Sequence, residues 1–323
     1  MLFLCCLSVV TLVRSYLPAR RHRNFGAVSR TVVIVNPESG RGAGARLLPR
    51  FTALFAEHGI TDIRITTAPG DEARVVGDAV RDGAETIAVA GGDGTWGKCA
   101  VALARLGSPA RMAFIANGTG NDFAKNLPTP AADHRAMAAL VARGTREQAV
   151  DLGRVDEQWF LNVAGFGFDV EVNVATADRT GWLRGDAVYI AAALRQLFQY
   201  HGFRVAVDVF GDEGPRLRMM LVISNGKNFG GAFLIAPSAS IDDGRLDFVS
   251  VGNVHKLARV PLFARALRGA HLTHPAVGAV RAAAATLTFD TPPMYELDGD
   301  LHQATGSVVR VGLIPRALRV LVG

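Results

Sequence analysis

The sequence contains few cysteines, and their positions exclude a disulfide framework. Of the three among 323 residues, Cys5 and Cys6 are adjacent near the start, and Cys99 stands alone in the rest of the chain. No spacing of ligand residues indicates a zinc site. Disulfides persist in oxidising compartments, so their exclusion favours a reducing one, and we expect a cytoplasmic protein.

A hydrophobic run long enough to cross a bilayer is missing at the start of the chain. Residues Met1–Val13 are mostly apolar, but a spanning helix needs about 18–20 such residues. An export signal usually carries positive charge before its apolar run, whereas here the arginines follow it. Three interpretations of residues 1–29 stay open: a non-structural extension, a basic anchor at a membrane surface, and a cleaved export signal.

The sequence also lacks a basic surface suited to nucleic acid. The net charge is +6, but residues 1–30 contain five arginines and no acid, which leaves +1 for the remainder. Binding to a phosphodiester backbone needs clustered charge in the folded body, so we expect no nucleic-acid partner. With 49% hydrophobic and 20% charged residues, the chain is globular and long enough for two domains.

Strands and helices alternate in residues 30–150. Helical spacing begins at Arg46 and ends before Gly59, and two further helices are predicted at Asp71–Arg81 and Trp96–Leu106. Short β-branched or apolar runs predict four strands: Thr31–Val35, Asp62–Thr67, Thr86–Ala90 and Arg111–Ala116. Strict alternation of this kind predicts an α/β domain, with a doubly wound parallel sheet covered by helices on both faces.

The pattern changes after residue 150, and residues 151–323 predict a β-rich antiparallel sandwich. Two helices are expected there, Asp186–Gln199 and Lys256–Arg268. The predicted strands are Gln158–Gly165, Phe203–Phe210, Leu217–Ser224, Arg245–Val251, Arg281–Phe289 and Ser307–Val311. We therefore divide the chain into residues 1–29, 30–150 and 151–323, and expect the last ten or so residues to return to the first domain.

Three glycine-rich turns follow strands of the first domain: Asn36–Gly42, Gly91–Thr95 and Gly118–Phe123. In a parallel sheet they would meet at the carboxyl edge, where ligands bind. Free backbone N–H groups at helix starts can bind phosphate oxygens. A carboxylate at Asp93 repels phosphate, so it suits an intervening Mg²⁺ or a proton-transfer role. Taken singly, each turn is also compatible with an ordinary loop, with Asp93 or Asn121 and Asp122 capping a helix.

A fourth segment, Tyr295–Asp300, places two carboxylates on either side of a glycine. Asp298 and Asp300 could activate a hydroxyl as general base or help to hold Mg²⁺. An Asp-Gly hairpin turn is the alternative.

These motifs resemble those of the bacterial diacylglycerol kinase and sphingosine kinase superfamily of lipid kinases. Gly-Gly-Asp-Gly-Thr is shared with NAD kinases and resembles phosphofructokinases, whereas the Gly118–Ala124 sequence is more specific to the lipid kinases. The resemblance runs from about Thr31 to the end of the chain. It implies a nucleotide domain like that of phosphofructokinases and NAD kinases, with ATP and Mg²⁺ as cofactors.

The resemblance also implies roles for individual residues. Asp298 and Asp300 match an Asp-Gly-Glu motif whose carboxylates serve as catalytic base and metal partner, and Asp93 is expected to join them. Asp300 stands where Glu is usual, which shortens the side chain by roughly 1.5 Å and leaves open which aspartate is the base. The implied nucleotide-binding positions are Asn36, Pro37, Ser39, Gly40, Thr66, Gly91, Gly92, Asp93, Gly94, Thr95, Gly118, Thr119, Asn121 and Asp122.

Ser240, Asp243 and Arg245 match a structural Mg²⁺ site that some members of the superfamily have. Asp243 would be the charged ligand, and the other two would contribute backbone carbonyls or water. A β-turn with solvated acids is the alternative.

The implied activity is transfer of the γ-phosphoryl group of ATP to a hydroxyl of a diacylglycerol-like or sphingoid lipid, at the inner face of the cell membrane. Two alternatives are an NAD-kinase-like phosphotransferase and a non-catalytic lipid- or nucleotide-binding module. The lipid substrate is the expected partner, and a homodimer is one assembly left open. Candidate walls of the lipid site are Phe166, Phe168, Trp182, Leu183, Phe229 and Phe233.

Overall fold

The computed structural model describes residues 30–177 and 197–323. Its first half alternates strands and helices: β1 Thr31–Val35, α1 Ser39–Ala56, β2 Ile63–Ile65, α2 Glu72–Arg81, β3 Thr86–Gly91, α3 Asp93–Arg105, β4 Arg111–Ala116 and α4 His134–Arg143. The strands pair in parallel in the order β4-β3-β1-β2. The predicted α/β fold with its parallel sheet is therefore confirmed.

Strand β1 shows why this part of the sequence is so uniformly apolar. Val32 and Ile34 pack into the core on one face of the sheet, together with Trp96 of α3. Val33 and Val35 pack on the opposite face. Because helices cover both faces, the strand has no solvent side and needs no polar alternation.

One predicted helix has an irregular start, and one helix was not predicted. The segment before Arg46 is assigned to α1, but its residues at positions 40–42 have left-handed φ angles of 57°, 58° and 80°, so the regular helix begins after them, as expected. Helix α4 was not predicted. Its start is capped by the Asp133 side chain, which accepts hydrogen bonds from the backbone N–H groups of Arg135 and Ala136.

The second half is mainly antiparallel, as predicted. Its elements are β5 Glu147–Val155, β6 Gln158–Phe160, β7 Val163–Gly167, α5 Phe168–Ala177, β8 Phe203–Val207, β9 Arg216–Ser224, β10 Leu246–Gly252, α6 Lys256–Ala266, β11 Val277–Ala282, β12 Ala284–Phe289, β13 Met294–Leu297, β14 Asp300–Gln303 and β15 Val308–Leu321. The pairs β7–β9, β9–β10, β10–β11 and β13–β14 are all antiparallel.

Several predicted boundaries in this half were wrong. The predicted strand Gln158–Gly165 is two strands, β6 and β7, and the predicted strand Arg281–Phe289 contains the end of β11 and all of β12. The predicted strand Phe203–Phe210 ends at Val207, after which Asp208–Phe210 forms a 3₁₀ turn. The predicted helix Asp186–Gln199 lies almost wholly outside the described residues.

Strand β15 joins the two halves of the molecule. It pairs antiparallel with β12 near its start and parallel with β4 at Arg319 and Val320. Along most of its length it also pairs with β5. The division of the chain that we predicted near residue 150 falls inside β5, and it stays a prediction.

Candidate active site

The three glycine-rich turns of the first half meet at the carboxyl edge of the parallel sheet. The Asn36 side chain donates to Thr95 Oγ1 over 2.8 Å, and the Asn117 side chain donates to Ser39 Oγ over 2.7 Å. A Cβ atom added at Gly118 would lie 2.5 Å from the Cα atom of Gly92. Two backbones therefore touch where glycine alone fits, and the turns form one continuous surface.

Asp93 lies within this surface and does not cap α3, whose N-cap is Gly92. One of its carboxylate oxygens accepts a hydrogen bond from the backbone N–H of Phe123 over 3.1 Å. Burial raises the pKa of Asp93, and the nearby Asp122 carboxylate adds to that rise. The site thus places a buried carboxyl group in a region suited to phosphates.

The loop after β4 uses its polar side chains on contacts within the protein. Asn121, which has a φ of 51°, accepts from the Gly118 N–H over 2.9 Å and donates to the Gly118 carbonyl over 2.8 Å. Asp122 accepts from the backbone N–H of Gly231 over 2.7 Å and pairs with Lys125 at 2.6 Å. Asn121 therefore closes the loop, and Asp122 fastens it to the second half of the molecule.

The remaining predicted nucleotide positions lie along the same edge. Thr66 is buried at the end of β2, and its N–H donates to the carbonyl of Val35 over 3.1 Å. Thr119 is exposed at the tip of the loop after β4. A Cβ at Gly40 would lie 2.4 Å from the Asn117 carbonyl oxygen, so this glycine is required by the close contact of two loops.

Asp298 occupies the hairpin turn between β13 and β14, so the hairpin alternative is correct for the backbone. Asp298 and Gly299 have φ angles of 50° and 94°, as a two-residue hairpin turn requires. The Asp298 carboxylate accepts backbone N–H groups from three consecutive residues over 2.7 to 3.0 Å, namely Leu161, Asn162 and Val163. Leu161 and Asn162 lie between β6 and β7, and Val163 begins β7, so the Asp298 carboxylate takes up backbone N–H groups where the predicted strand is broken.

The same carboxylate lies against the first turns of α3. A Cβ added at Gly97 would lie 2.6 Å from Asp298 Oδ2, and one at Gly94 would lie 3.8 Å from the Asp298 carbonyl oxygen. Burial raises the pKa of Asp298 to about 6 despite its three hydrogen bonds, and the negative charge of Asp93 contributes to that rise. A carboxylate of this kind is ionised at neutral pH and is more basic than an ordinary aspartate.

Asp300 has a different environment. It lies at the start of β14, and its Oδ2 atom is 3.1 Å from the Nζ atom of Lys98 on α3. Both side chains are more than one third exposed, at 46% and 39%. The structure therefore separates the two predicted carboxylates: Asp298 is held inward by amides, and Asp300 is paired at the surface.

Two buried acids beside this site were not predicted. Asp169 and Glu296 are only 5% and 1% exposed, and the Asn173 side chain donates to Glu296. Burial raises the pKa of Asp169 to about 7 and that of Glu296 well above its usual value, with mutual repulsion contributing for Glu296. A sequence signal existed: Asp169 follows a strand that ends in Gly-Phe-Gly, as Asp93 follows Gly-Gly.

At the predicted structural Mg²⁺ site, both oxygens of the one charged ligand, Asp243, already have partners. Asp243 Oδ1 accepts the Arg245 backbone N–H over 3.0 Å, and Asp243 Oδ2 pairs with the guanidinium of Arg281. The Ser240 hydroxyl donates to Asp242 over 2.7 Å. Within residues 30–177 and 197–323, no group of three or more His, Cys, Asp or Glu side chains could hold a metal ion. A cation bound at Asp243 would therefore have to compete with the Arg281 guanidinium.

A cavity of about 440 Å³ lies in the second half of the molecule. Its lining combines apolar and aromatic side chains, among them Phe166, Val170, Phe203, Phe289 and Met294, with the charged side chains of Glu171, Arg204 and Asp290. Of the predicted lipid-site walls, Phe166 borders this cavity, and its side chain is fully buried in the surrounding core. Phe168 packs instead in a core with Val172 and Leu262, Phe229 and Phe233 pair with each other in a loop, and Trp182 and Leu183 lie outside the described residues.

No helix within residues 30–177 and 197–323 combines the length and the apolar character that crossing a bilayer requires.

Together, the fold and the site define a phosphotransferase, in which glycine-rich turns at the edge of the parallel strands face a carboxylate-bearing hairpin from the antiparallel strands. Residues 30–155 match the family model described as the diacylglycerol kinase catalytic domain. Residues 162–322 match the YegS C-terminal NAD kinase beta sandwich-like domain. The chain therefore belongs to the family of lipid kinases that carry the diacylglycerol kinase catalytic domain, as predicted.

Individual relatives agree with this assignment. A Mycobacterium tuberculosis protein named diacylglycerol kinase is 30% identical over 311 residues, which is 94% of this chain and 96% of that protein. A Xanthomonas euvesicatoria pv. vesicatoria protein named "Probable lipid kinase YegS-like" is 32% identical and covers 80% of this chain and 85% of its own. A solved diacylglycerol kinase structure from Bacillus anthracis str. Sterne has the same fold, with a TM-score of 0.69 at 22% identity over 91% of this chain and 97% of that one.

Proposed function

We propose that this protein transfers the γ-phosphoryl group of ATP to a hydroxyl of a diacylglycerol-like or sphingoid lipid. The observation that carries the proposal is the position of Asp298. Its carboxylate comes from the second half of the molecule and lies against α3, the helix that begins at the Gly91–Thr95 turn. A base on one side and a phosphate-binding turn on the other is what in-line phosphoryl transfer needs.

The nucleotide would bind along the three turns of the first half. Gly92 and Gly118 allow two of these turns to meet backbone to backbone, and the free N–H groups at the start of α3 could bind phosphate oxygens. Oxygen ligands suit Mg²⁺, which proteins usually hold through one or two carboxylates together with substrate phosphates. Asp93 fits that role, and the ion would neutralise charge on the triphosphate.

Asp298 would act as general base. As the lipid hydroxyl oxygen attacks the γ-phosphorus, Asp298 accepts the hydroxyl proton, the bond from the γ-phosphorus to the bridging oxygen breaks, and ADP leaves. Three backbone amides fix the orientation of the carboxylate. Its pKa of about 6 keeps it mostly ionised at neutral pH while leaving it basic enough to take a proton.

Asp300 would hold the hairpin in position and not exchange protons. Its carboxylate is already paired with Lys98, and that lysine is the residue after Gly97, against which Asp298 lies. The ion pair therefore links β14 to the same turn of α3 that faces Asp298. An aspartate can do this in place of the glutamate usual in the family.

The acceptor would be a long-chain lipid and not a small alcohol. Met294 lines the cavity and is four residues from Asp298 along β13 and its turn, which is about 13 Å at strand spacing. A molecule with a hydroxyl at Asp298 and an apolar tail in the cavity would have to bridge that distance. An acyl or sphingoid chain does so, whereas a soluble alcohol does not.

Such a lipid would be taken from the inner face of the cell membrane. Residues 1–29 contain four arginines and no acid, and each arginine near anionic lipid contributes about 1 kcal/mol of attraction. Sedimentation with anionic vesicles, before and after removal of residues 1–29, tests this location. Equal vesicle binding by the two forms would exclude the segment as an anchor.

The activity itself is tested by incubating the purified full chain with radiolabelled ATP and a panel of acceptors. The panel contains diacylglycerol, sphingoid bases, ceramide, undecaprenol and NAD, with the lipids in mixed micelles. We expect transfer to one or more lipids and a large loss of it in Asp298→Asn. Transfer to NAD alone would overturn the lipid proposal, and ATP binding without any transfer would favour a binding module.

A further inference from the structure

Arg281 lies at a position fixed by the backbone. It is directly opposite Asp247 in the antiparallel pairing of β10 and β11, and its Nε atom is 3.4 Å from Asp247 Oδ2. The same guanidinium also pairs with Asp243, four residues earlier, in the turn that leads into β10. One cation therefore lies beside two carboxylates, hydrogen-bonded to Asp243 and paired with Asp247 by charge alone.

The carboxylate oxygens of the turn are all accounted for. Asp243 uses one oxygen for Arg281 and the other for the Arg245 backbone N–H. Asp242 accepts the Ser240 hydroxyl over 2.7 Å and the Gln148 amide over 2.9 Å. A metal ion at this turn would have to displace the guanidinium, which is an equally close positive charge with directional hydrogen bonds.

The turn matters because it is hydrogen-bonded to a buried acid of β5, which in turn holds β15. The Gly244 N–H donates to Asp151 Oδ2 over 2.8 Å, and the other Asp151 oxygen accepts the Arg316 N–H over 2.7 Å. Asp151 is 1% exposed and lies on β5, while Arg316 lies on β15. The conformation of the turn therefore determines whether the Gly244 N–H can reach the buried Asp151 carboxylate.

We infer that in this chain the Arg281 guanidinium takes the place of the divalent cation expected at the Asp242–Arg245 turn, so that the turn forms without metal. The Mg²⁺ that the reaction uses belongs to the nucleotide and is a separate matter. The exchange of a metal for a guanidinium affects the thermal stability of the protein, which can be measured without reference to activity.

The test measures thermal unfolding of the full chain without nucleotide, after dialysis against EDTA and again in millimolar Mg²⁺. Four proteins are compared: wild type, Asp243→Asn, Arg281→Gln and Arg135→Gln. The last is a matched control, because Arg135 forms an exposed ion pair with Glu57 at 3.0 Å in the other half. We expect the Tm of wild type in EDTA to equal that in Mg²⁺.

Arg281→Gln should behave differently from the control. Loss of the guanidinium leaves Asp243 and Asp247 without their shared cation, and we expect the Tm in EDTA to fall by about 2–4 °C. Mg²⁺ should restore part of that loss, because the two carboxylates then offer a vacant cation site. Arg135→Gln should show a smaller fall and no rescue by Mg²⁺.

Two results would overturn the inference. In the first, the Tm of wild type is lower in EDTA than in Mg²⁺, and Asp243→Asn abolishes this difference. A metal would then be bound at Asp243. The other is an Arg281→Gln variant that unfolds like wild type in EDTA or gains nothing from Mg²⁺. A Mg²⁺ effect on wild type that persists in Asp243→Asn arises elsewhere and supports the metal-free turn. The wild-type and Asp243→Asn pair decides the question even if Arg281→Gln fails to fold.

Discussion

Two Asp-Gly turns in the second half of the molecule present carboxylates that have opposite surroundings. Asp243 faces a full counter-charge from Arg281, whereas Asp298 accepts three backbone N–H groups and lies near the like charge of Asp93. The sequences Asp-Gly-Arg and Asp-Gly-Asp look equally suited to metal or acid–base chemistry. The difference teaches that reactivity here depends on which side chain the fold brings to the turn, and not on the turn itself.

The largest test of this contrast exchanges each aspartate for asparagine. Asp298→Asn removes the proposed base while keeping the shape of the side chain, so kcat should fall by roughly 10²–10⁴-fold. Asp243→Asn should leave kcat within a few-fold of wild type. The measurement is the initial rate with saturating ATP and lipid, with circular dichroism to confirm folding. Equal losses in the two variants would remove the distinction between the turns.

A smaller effect is expected from moving Asp298 without changing it. In Gly97→Ala the new Cβ atom would lie 2.6 Å from Asp298 Oδ2, so the carboxylate must shift. A displacement near 1 Å can reduce a rate by about 10²-fold, and we expect a loss of roughly 10–100-fold in kcat/KM.

The matched control for this substitution is Gly77→Ala on α2, where the new Cβ atom would meet only the end of the Arg81 side chain at 3.4 Å. Alanine favours a helix over glycine by about 1 kcal/mol in both cases. Both variants should therefore keep their helices, and Gly97→Ala alone should lose activity. Full activity in Gly97→Ala would mean that the carboxylate does not need its place against α3.

The pH dependence should reveal the environment of Asp298 directly. An acid with a pKa of about 6 is ionised above that pH and protonated below it, so a base of this kind loses activity as the pH falls through 6. We expect kcat/KM at one pH unit below this pKa to be about tenfold under its plateau. An ordinary aspartate, with a pKa of about 3.9, would fall to half of its plateau activity only near pH 4.

Removing the neighbouring charge sharpens the pH test. Asp93→Asn eliminates the repulsion that contributes to the raised pKa of Asp298, so the acidic limb of the profile should move to lower pH even though the rate itself falls. An acidic limb that stays in place would show that it reports another group.

Features that depend on short segments could be predicted from the sequence. Contacts between residues far apart in the sequence could not. The alternation of strands and helices, the turns at Gly91–Thr95 and Gly118–Phe123 and the family resemblance all rest on short segments. By contrast, Asp298 contacts Leu161 across 137 residues, and Arg281 reaches Asp243 across 38. No local pattern encodes either contact, and each one decides what an aspartate can do.

The broken strand between β6 and β7 shows the same limit. Residues Gln158–Gly165 have the composition of a single strand, and the prediction treated them so. The backbone N–H groups at its centre are instead used by the Asp298 carboxylate. A buried carboxylate needs such donors, so the demand of one distant side chain overrides the local strand preference.

The smallest effect concerns Asp300 and decides between it and Asp298 as base. The Lys98–Asp300 pair is exposed, and such pairs contribute about 0–1 kcal/mol. Lys98→Ala and Asp300→Ala should therefore each reduce kcat/KM only a few-fold. Because the two side chains act as one contact, the double variant should be no worse than either single one.

Asp300→Glu provides the conservative control, since a side chain longer by one carbon still reaches Lys98 and restores the residue usual in the family. Its rate should match wild type within about twofold, since an exposed ion pair is worth so little. If Asp300 were the base, Asp300→Ala would lose as much activity as Asp298→Asn, and Lys98→Ala would shift the pH profile by removing the cation beside it. A few-fold loss with an unchanged pH profile assigns Asp300 to holding the hairpin against α3 and leaves the proton transfer to Asp298.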